Sequence, residues 1–261
     1  MSSRPAACMT LHPGVVYGPI VSRRFGVSLG INVLLAHRKV CSFNCVYCQY
    51  SWTEPLRRLD DLDWPAPERV AAEVADEIVS LRASGVTIDQ LTLAGHGEPT
   101  LHPQFADLVG RLRAVRDAHP PRVPIGILSN STTAHLPEVR ATLEQLDERN
   151  MKLDAGRQQE LRQVNAASVP VDQIVEGLAA LRDVCIQAMF VRDAKRRIDN
   201  TTEDAVDAWV AALERIRPRA VQVYTIARAP ALETLLPVPA ADLHAIAERV
   251  RAIGLEALVV G

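Results

Sequence analysis

The alternation of short apolar runs with longer amphipathic stretches constrains the fold of this 261-residue chain most strongly. Six runs rich in aliphatic and β-branched residues predict strands, at 30–36, 90–95, 124–130, 151–156, 184–191 and 220–227. Apolar residues spaced three and four apart predict helices between and after them, at 66–83, 104–115, 136–146, 172–182, 203–216 and 243–253. Because parallel strands need a crossover, which is usually a helix, this order predicts a parallel α/β sheet.

The positions of the polar residues separate two forms of such a sheet, an open doubly wound sheet and a curved partial barrel. Polar or metal-capable residues lie at or after the end of nearly every predicted strand, namely Cys41, Cys45, Cys48, His96, Glu98, Ser129, Asn130, Lys152, Asp154, Arg192, Tyr224 and Arg228. The strand ends of a barrel ring one mouth, whereas an open sheet confines its site to one switch point. We therefore predict a partial (βα)6 barrel at 29–261, with an N-terminal extension at 1–28 that packs on it.

Charge and hydropathy limit the classes of protein to which the chain can belong. The net charge is −2, which does not mark a nucleic-acid-binding or membrane-surface protein. No apolar run is long enough to span a bilayer, and residues 1–14 have no signal-peptide core. We expect a cytoplasmic protein without a membrane partner, because clustered cysteines suit a reducing compartment.

Three of the five cysteines form a C-x3-C-x2-C triplet, Cys41, Cys45 and Cys48. Three thiolates can hold one metal centre and are one ligand short of a closed four-ligand site. His37 could complete a zinc site, while soft thiolates equally suit an iron–sulfur cluster. We expect Cys8 to be a tail thiol and Cys185 a small buried apolar residue.

Several motifs resemble those of one enzyme family. The run KVCSFNCVYCQY, with Tyr47 just before the last cysteine, resembles the signature loop of the radical S-adenosylmethionine (SAM) enzymes. The segment AGHGEPTLHP (94–103) is similar to their glycine–glutamate–proline motif, and SNST (129–132) to their ribose-contacting turn. Longer phrases such as YGPIVSRRFGVSLGIN and QVYTIAR are similar to an uncharacterised bacterial and archaeal subgroup, iron–sulfur oxidoreductases related to the tRNA wyosine-forming enzymes.

The resemblance implies a defined chemistry. The cysteines would hold one [4Fe-4S] cluster, and SAM would chelate the iron that no cysteine binds. One electron from the reduced cluster would cleave SAM into methionine and a 5′-deoxyadenosyl radical, which abstracts hydrogen from an unidentified substrate. A one-electron donor such as flavodoxin or ferredoxin is then required. The substrate could be a small molecule, a peptide or RNA, so a tRNA-base-modifying enzyme is one alternative.

The same resemblance implies which residues bind SAM. Tyr47 belongs to the signature loop, and Gly95, His96, Gly97 and Glu98 would contact the amino group of SAM through Glu98 or backbone carbonyls. His96 stands where many members carry glycine. The alternative for this segment is a turn shaped by glycine and proline.

Other polar residues would complete the SAM site. Ser129 and Asn130 would contact the ribose, or would instead cap the following helix. Lys152 and Asp154 share one face of a strand, where they would hold the SAM carboxylate and the ribose or a substrate proton, or form a structural ion pair.

The sequence gives less specific indications of function for the basic residues and for one long loop. The basic run 192–197, like Arg23 and Arg24, is by default solvated, with a substrate phosphate or carboxylate as the alternative ligand. The loop at 51–67 could cover the site. A hypothesis from another class is a zinc-stabilised barrel that acts as a binding protein or hydrolase.

Overall fold

The computed structural model describes residues 8–22, 24–35, 37–54, 59, 62–119, 121–195 and 197–260. Its strands are β1 (Val16–Ser22), β2 (Gly26–Ile31), β3 (Gln90–Leu93), β4 (Ile125–Ser129), β5 (Glu148–Lys152), β6 (Val184–Met189), β7 (Val191–Asp193), β8 (Ala220–Tyr224), β9 (Leu235–Pro237) and β10 (Ala257–Val260). Its helices are α1 (Pro67–Ala83), α2 (Phe105–Ala118), α3 (Pro137–Leu143), α4 (Gln158–Asn165), α5 (Val171–Ala179), α6 (Glu203–Ile216) and α7 (Ala240–Ala252), with a single 3-10 turn at Pro99–Leu101.

Eight of these strands form one sheet in the order β1-β2-β3-β4-β5-β6-β8-β10. The strands from β2 to β10 pair in parallel, and β1 pairs antiparallel with β2. Helices follow β2, β3, β4, β5, β6 and β8, which makes six strand–helix units before the final strand. The sheet stays open between β1 and β10. The predicted partial (βα)6 barrel is therefore confirmed.

Two predicted strands are displaced along the chain. The first lies at Gly26–Ile31 instead of 30–36, because the apolar residues Val33, Leu34 and Leu35 are buried outside the sheet. The fourth lies at Glu148–Lys152, where Met151 is the single apolar residue of the strand, instead of 151–156. A buried loop and a buried strand have the same hydropathy, so an apolar run alone does not separate them.

The sequence also left several elements unpredicted, among them the edge strands β1 and β10 and the helix α4. The α4 sequence, QQELRQVN, is mostly polar, and Leu161 and Val164 are its only fully apolar residues. Such a short polar helix forms where tertiary contacts hold it, and periodicity gives little sign of it.

The N-terminal part of the chain contributes directly to the sheet. β2 crosses the predicted boundary between residues 28 and 29, and it pairs with both β1 and β3. We therefore propose that the barrel domain begins at β1 and that the described residues 8–15 precede it. None of the helices in the described ranges combines the length and apolar character needed to cross a membrane.

The helix α6 packs against the segment that follows β5. Trp209 of α6 is 1% exposed, packs edge-on against Phe190, and donates from its indole nitrogen to the carbonyl oxygen of Leu153 at 2.9 Å. A Cβ atom at Gly156 would overlap the backbone of Ala208, so glycine permits this close approach. These contacts fix the position of the chain on both sides of Asp154.

We predict that replacing Trp209 with alanine lowers the free energy of unfolding by about 3–5 kcal/mol, since it removes a fully buried ring and a hydrogen bond. Urea denaturation measures the change. Trp52 is 44% exposed, so Trp52→Ala is the matched control and should change stability by less than about 0.5 kcal/mol. Equal losses in the two variants would contradict the packing role of Trp209.

Candidate metal and cofactor site

The three cysteines of the triplet lie on one loop, residues 37–54, that follows β2 at the carboxyl ends of the parallel strands. We call it the cysteine loop. Its first anchor is a short parallel bridge between Val40 and Gly97. The Val40 N–H donates to the carbonyl oxygen of His96, and the Glu98 N–H donates to that of Val40, both at 2.9 Å. The residue before Cys41 is thus fixed to the end of β3.

The glycines of the GHGEP segment allow this bridge. Gly95 and Gly97 have φ values of +146° and +149°, which side chains of L-residues rarely permit. A Cβ atom at Gly97 would overlap the carbonyl oxygen of Val40, and one at Gly95 would overlap the side chain of Asn32. The segment is therefore the tight turn that the sequence predicted, and the loop backbone lies directly against it.

The second anchor of the cysteine loop is the carboxyl end of α4. The N–H groups of Asn44 and Val46 donate to the carbonyl oxygens of Asn165 and Val164, both at 2.9 Å. The last carbonyls of a helix have no partner within the helix, so the loop satisfies them. Ala166 ends the helix in a left-handed conformation, with φ 46° and ψ 43°. α4 therefore holds the backbone on both sides of Cys45.

Burial and nearby negative charge disfavour ionisation of two of the thiols. Burial, together with Cys45 and Glu98, raises the pKa of Cys41 to about 12. Burial and the carboxylate of Asp154 raise the pKa of Cys45 to about 11. A cation bound at these sulfurs would reverse the effect, because metal ligation requires and stabilises the thiolate.

Two side-chain amides point at these sulfurs. Asn130 Nδ2 lies 3.5 Å from Cys41 Sγ, and Asn165 Nδ2 lies 3.3 Å from Cys45 Sγ. An amide N–H stabilises a negatively charged sulfur more than a neutral one, since hydrogen bonds to ionised acceptors are stronger. The surroundings of the thiols therefore suit thiolate ligands.

A single zinc ion and a cluster place different demands on the three thiols. In the described part of the chain, no three His, Cys, Asp or Glu side chains come together as ligands for one metal ion. A tetrahedral zinc holds each sulfur about 2.3 Å away and so draws the sulfurs close together, whereas a [4Fe-4S] cluster binds thiolates through separate irons. His37, the fourth ligand considered for zinc, is exposed.

Glu98 joins the ends of β3 and β4. It is 1% exposed. Its Oε1 accepts from the Thr100 and Ser129 hydroxyls at 2.6 and 2.8 Å, and its Oε2 accepts from the Asn130 N–H at 2.5 Å. Burial raises the pKa of Glu98, and these donors partly offset the effect. Most of the acceptor capacity of the carboxylate is thus used within the chain.

Asn130 contacts the cysteine loop and Ser129 donates to Glu98, and neither side chain caps a helix. Asn130 Nδ2 donates to the Ser42 hydroxyl at 2.9 Å, while its Oδ1 accepts from Thr132. The helix that follows, α3, begins at Pro137 with Leu136 as its N-cap. The helix-capping alternative is therefore wrong, and this turn forms one wall of the mouth beside Cys41.

Lys152 and Asp154 meet at the opposite side of the mouth. Lys152 Nζ lies 3.7 Å from Asp154 Oδ1 and donates to the Tyr224 hydroxyl at 2.8 Å. Tyr47 of the cysteine loop donates its hydroxyl to Asp154 Oδ2, and the ammonium of Lys152 lies 5.1 Å from the centre of the Tyr47 ring. The shared face of these two residues is therefore the interior of the barrel.

The charge state of this pair follows from its surroundings. Burial lowers the pKa of Lys152, but the negative charge of Asp154 and the hydroxyl of Tyr224 outweigh it, so the net pKa is raised. Burial is also the main cause of the raised pKa of Tyr47, followed by Asp154. Lys152 is thus a half-buried ammonium beside Asp154, and the neutral phenol of Tyr47 joins Asp154 to the loop.

His96 faces away from the cysteines of the loop. Its ring is fully buried, and Nε2 accepts from the His12 N–H at 2.6 Å. It also packs edge-on against Tyr50. Burial lowers the pKa of His96. Its side chain therefore ties the segment before β1 to the mouth, and its backbone carbonyl holds Val40.

The remaining candidates are less central. Arg24 lies over the ring of Tyr224 at 5.3 Å, and Arg228 donates to Gln49 Oε1 at 2.6 Å. In the basic run, Arg192 pairs with Asp242 at 2.5 Å and Arg197 with Asp193 at 3.3 Å. Arg23, Arg196 and residues 55–58, 60 and 61 of the long loop lie outside the described residues.

The two spare cysteines differ in their surroundings. Cys185 is 3% exposed in β6, as expected, and burial raises its pKa to about 11. The thiol of Cys8 is half-buried beside the carbonyl oxygen of Pro230.

Sequence reasoning missed Asn165, since one asparagine in an unpredicted helix carries no spacing signal.

We predict that Gly97→Ala reduces the iron content of reconstituted protein, because the added Cβ forces Val40 and the cysteine loop away from β3. The positive φ alone costs about 1–3 kcal/mol. Iron per chain measures the effect. Gly110, inside α2, has open space around its Cα, so Gly110→Ala is the control and should load normally. Equal iron in both variants would show that the contact between Gly97 and Val40 does not hold the cysteine loop in place.

Comparison with known proteins gives the family. The radical SAM superfamily matches residues 36–193. A UPF0026 protein of Helicobacter pylori is 30% identical over 64% of this chain and 51% of its own length. UPF0026 protein MJ1312 of Methanocaldococcus jannaschii is 29% identical over 85% of this chain and 67% of its own length. A protein named GTPase Obg of Brachyspira hyodysenteriae is 27% identical over 82% of this chain and 30% of its own length. The chain therefore spans only part of these relatives.

Solved structures share the fold at low sequence identity. A structure of TYW1 with a lysine–pyruvate adduct has a TM-score of 0.61 and 15% identity, covering 86% of this chain and 73% of that one. A radical SAM methyltransferase from Sphaerobacter thermophilus has a TM-score of 0.64 and 13% identity, covering 89% and 65%. Since the family match covers more than half of the sequence, this chain belongs to the radical SAM superfamily.

Proposed function

We propose that Cys41, Cys45 and Cys48 hold one [4Fe-4S] cluster and that the mouth of the barrel binds SAM beside it. The observation that carries this proposal is that backbone hydrogen bonds hold the cysteine loop on both sides. The GHGEP segment binds one side and the end of α4 binds the other. Amide donors aimed at two of the sulfurs support it. When bound, the cluster and SAM supply one-electron cleavage of the sulfonium to methionine and a 5′-deoxyadenosyl radical.

Three groups of residues would bind SAM around the cluster. Both carboxylate oxygens of Glu98 have partners within the chain, so we propose that backbone carbonyls of residues 95–98 receive the amino group. The polar turn at Ser129 and Asn130 would face the ribose. Lys152 would hold the SAM carboxylate, because its ammonium lies inside the mouth, 5.1 Å from the centre of the Tyr47 ring of the cysteine loop.

Asp154 and Tyr47 would fix that cation. Asp154 Oδ1 accepts from the Met189 N–H at 2.7 Å and Oδ2 from the Tyr47 hydroxyl, so the carboxylate is held by both β6 and the cysteine loop. Burial lowers the pKa of Lys152, but the nearby Asp154 and the Tyr224 hydroxyl outweigh it, so Lys152 stays protonated. We propose that this pair orients SAM and that neither residue transfers a proton.

The reaction requires a one-electron donor, which we propose to be a flavodoxin or a ferredoxin in the cytoplasm. Cys8 and Cys185 are too few to build a second cluster in this chain, and free thiols at the cluster site need a reducing compartment. The substrate would be a small molecule, a peptide or RNA that enters the mouth. TYW1 shares the fold, which keeps a tRNA base among these classes.

We predict that anaerobically reconstituted protein binds about four irons per chain, rather than zinc, and that the reduced protein forms 5′-deoxyadenosine from SAM. Alanine at Cys41, Cys45 or Cys48 should lower 5′-deoxyadenosine to background, because two thiolates do not retain the cluster. Metal analysis and chromatography of the nucleoside measure these outcomes.

Cys185→Ala serves as the control, since this thiol lies in β6 away from the cysteine loop. It should keep both iron and nucleoside formation. Zinc in place of iron, or iron-loaded protein that leaves SAM intact, would overturn the proposed function.

A further inference from the structure

Asn165 lies between the cysteine loop and the charged pair at the mouth. It is the last residue of α4 and is fully buried. Its Nδ2 lies 3.3 Å from Cys45 Sγ and 2.7 Å from Asp154 Oδ2, and 3.3 Å from the Tyr47 hydroxyl. One side-chain amide therefore connects a proposed iron ligand to the carboxylate that holds Lys152.

The orientation of this amide is set by its neighbours. An ionised carboxylate and a thiolate are acceptors only, so the NH2 group, with its two hydrogens, must face them. Turning the amide over would place its oxygen against the Asp154 carboxylate. In the observed orientation Asn165 Oδ1 is buried without a hydrogen-bond partner among the described residues.

The lack of a partner for Oδ1 indicates that the fold positions the Asn165 side chain for its N–H donors. A buried acceptor without a partner costs free energy, and the structure accepts this cost only on the oxygen side. Every donor of the amide is engaged. The backbone adds to the constraint, because the Asn165 carbonyl accepts from the Asn44 N–H, next to Cys45.

We propose that Asn165 is a positioning residue whose N–H group donates to the Cys45 thiolate when that sulfur carries iron, and thereby raises the reduction potential of the cluster. Reduction adds negative charge, which spreads onto the ligating sulfurs. A hydrogen bond to such a sulfur stabilises the reduced form more than the oxidised form. The inference rests on the cluster ligation proposed above.

The three thiolates would differ in this respect. Cys41 has a longer contact of 3.5 Å from Asn130 Nδ2, and among the described side chains none donates to Cys48 Sγ. Of the two side-chain amide contacts to sulfurs of the triplet, the one at Cys45 is therefore the shorter. Because its donor also bonds to Asp154, loss of Asn165 would free both the sulfur and the carboxylate.

The test is an anaerobic redox titration of reconstituted Asn165→Ala, with the reduced cluster quantified by electron paramagnetic resonance. At a fixed solution potential, we expect the ratio of reduced to oxidised cluster to fall about tenfold relative to the parent protein, which is about 59 mV for a one-electron couple. A ratio within about twofold of the parent, with full iron loading, would overturn the inference.

A matched control comes from β5. Asn150 is also buried, at 2% exposure, and its Nδ2 has no hydrogen-bond partner in the described part of the chain. Asn150→Ala should leave the ratio unchanged. If it lowers the ratio as much as Asn165→Ala does, the effect is general loosening of the barrel, and the inference fails.

A second variant covers the case in which Asn165→Ala does not retain its iron. Asn165→Ser keeps a hydroxyl donor on a shorter side chain, so its ratio should fall below that of the parent while Asn150→Ala keeps the parent's ratio. A ratio equal to the parent would count against the inference. The redox titration requires a bound cluster but not SAM. A protein that shows this shift but leaves SAM intact would contradict the proposed function and support the role of Asn165.

Discussion

The bridge between Val40 and Gly97 is the contact on which the rest of the site depends. It fixes the chain at the residue before Cys41, and it forms only because Gly97 has no side chain to block the Val40 carbonyl. The end of α4 then fixes the other part of the loop by accepting from Asn44 and Val46. With both flanks held by backbone hydrogen bonds, the direction of the thiols is a property of the barrel rather than of a flexible loop.

The polar groups at the mouth form two separate networks, one on each side of the cysteine loop. Glu98 links the ends of β3 and β4 and places Asn130 beside Cys41. Asp154 links β5, β6 and the loop, and Asn165 places an amide beside Cys45. Each network is centred on a buried carboxylate that costs free energy unless donors satisfy it. The satisfied carboxylates explain how a mouth with this much charge remains ordered.

Much of this arrangement could be predicted from the sequence. Spacing identified the cysteines, the strand–helix order predicted a parallel sheet, and the polar residues at the strand ends favoured the barrel over an open sheet. The spacing of two residues between Lys152 and Asp154 also predicted that their side chains lie on the same face. Each of these predictions rests on a local pattern in the sequence, which can be recognised without knowledge of the tertiary contacts.

The rest depended on contacts between distant segments. The helix α4 has few apolar residues, and it ends at Asn165, whose role exists only because Cys45 and Asp154 meet there. The resemblance placed His96 in a SAM-binding segment without indicating a role for its ring, which contacts His12 and Tyr50. Its backbone, not its side chain, serves the loop. Val33, Leu34 and Leu35, which are buried between β2 and the cysteine loop, also led to the wrong position for the first predicted strand.

The central claim is that three thiolates hold the cluster and leave one iron open for SAM. Mössbauer spectroscopy of 57Fe-reconstituted protein tests it most directly, since it counts irons by their ligands. We predict that adding SAM shifts the signal of one iron in four, about a quarter of the absorption, and leaves the other three unchanged. A spectrum that SAM does not alter, with all irons already equivalent, would contradict the claim.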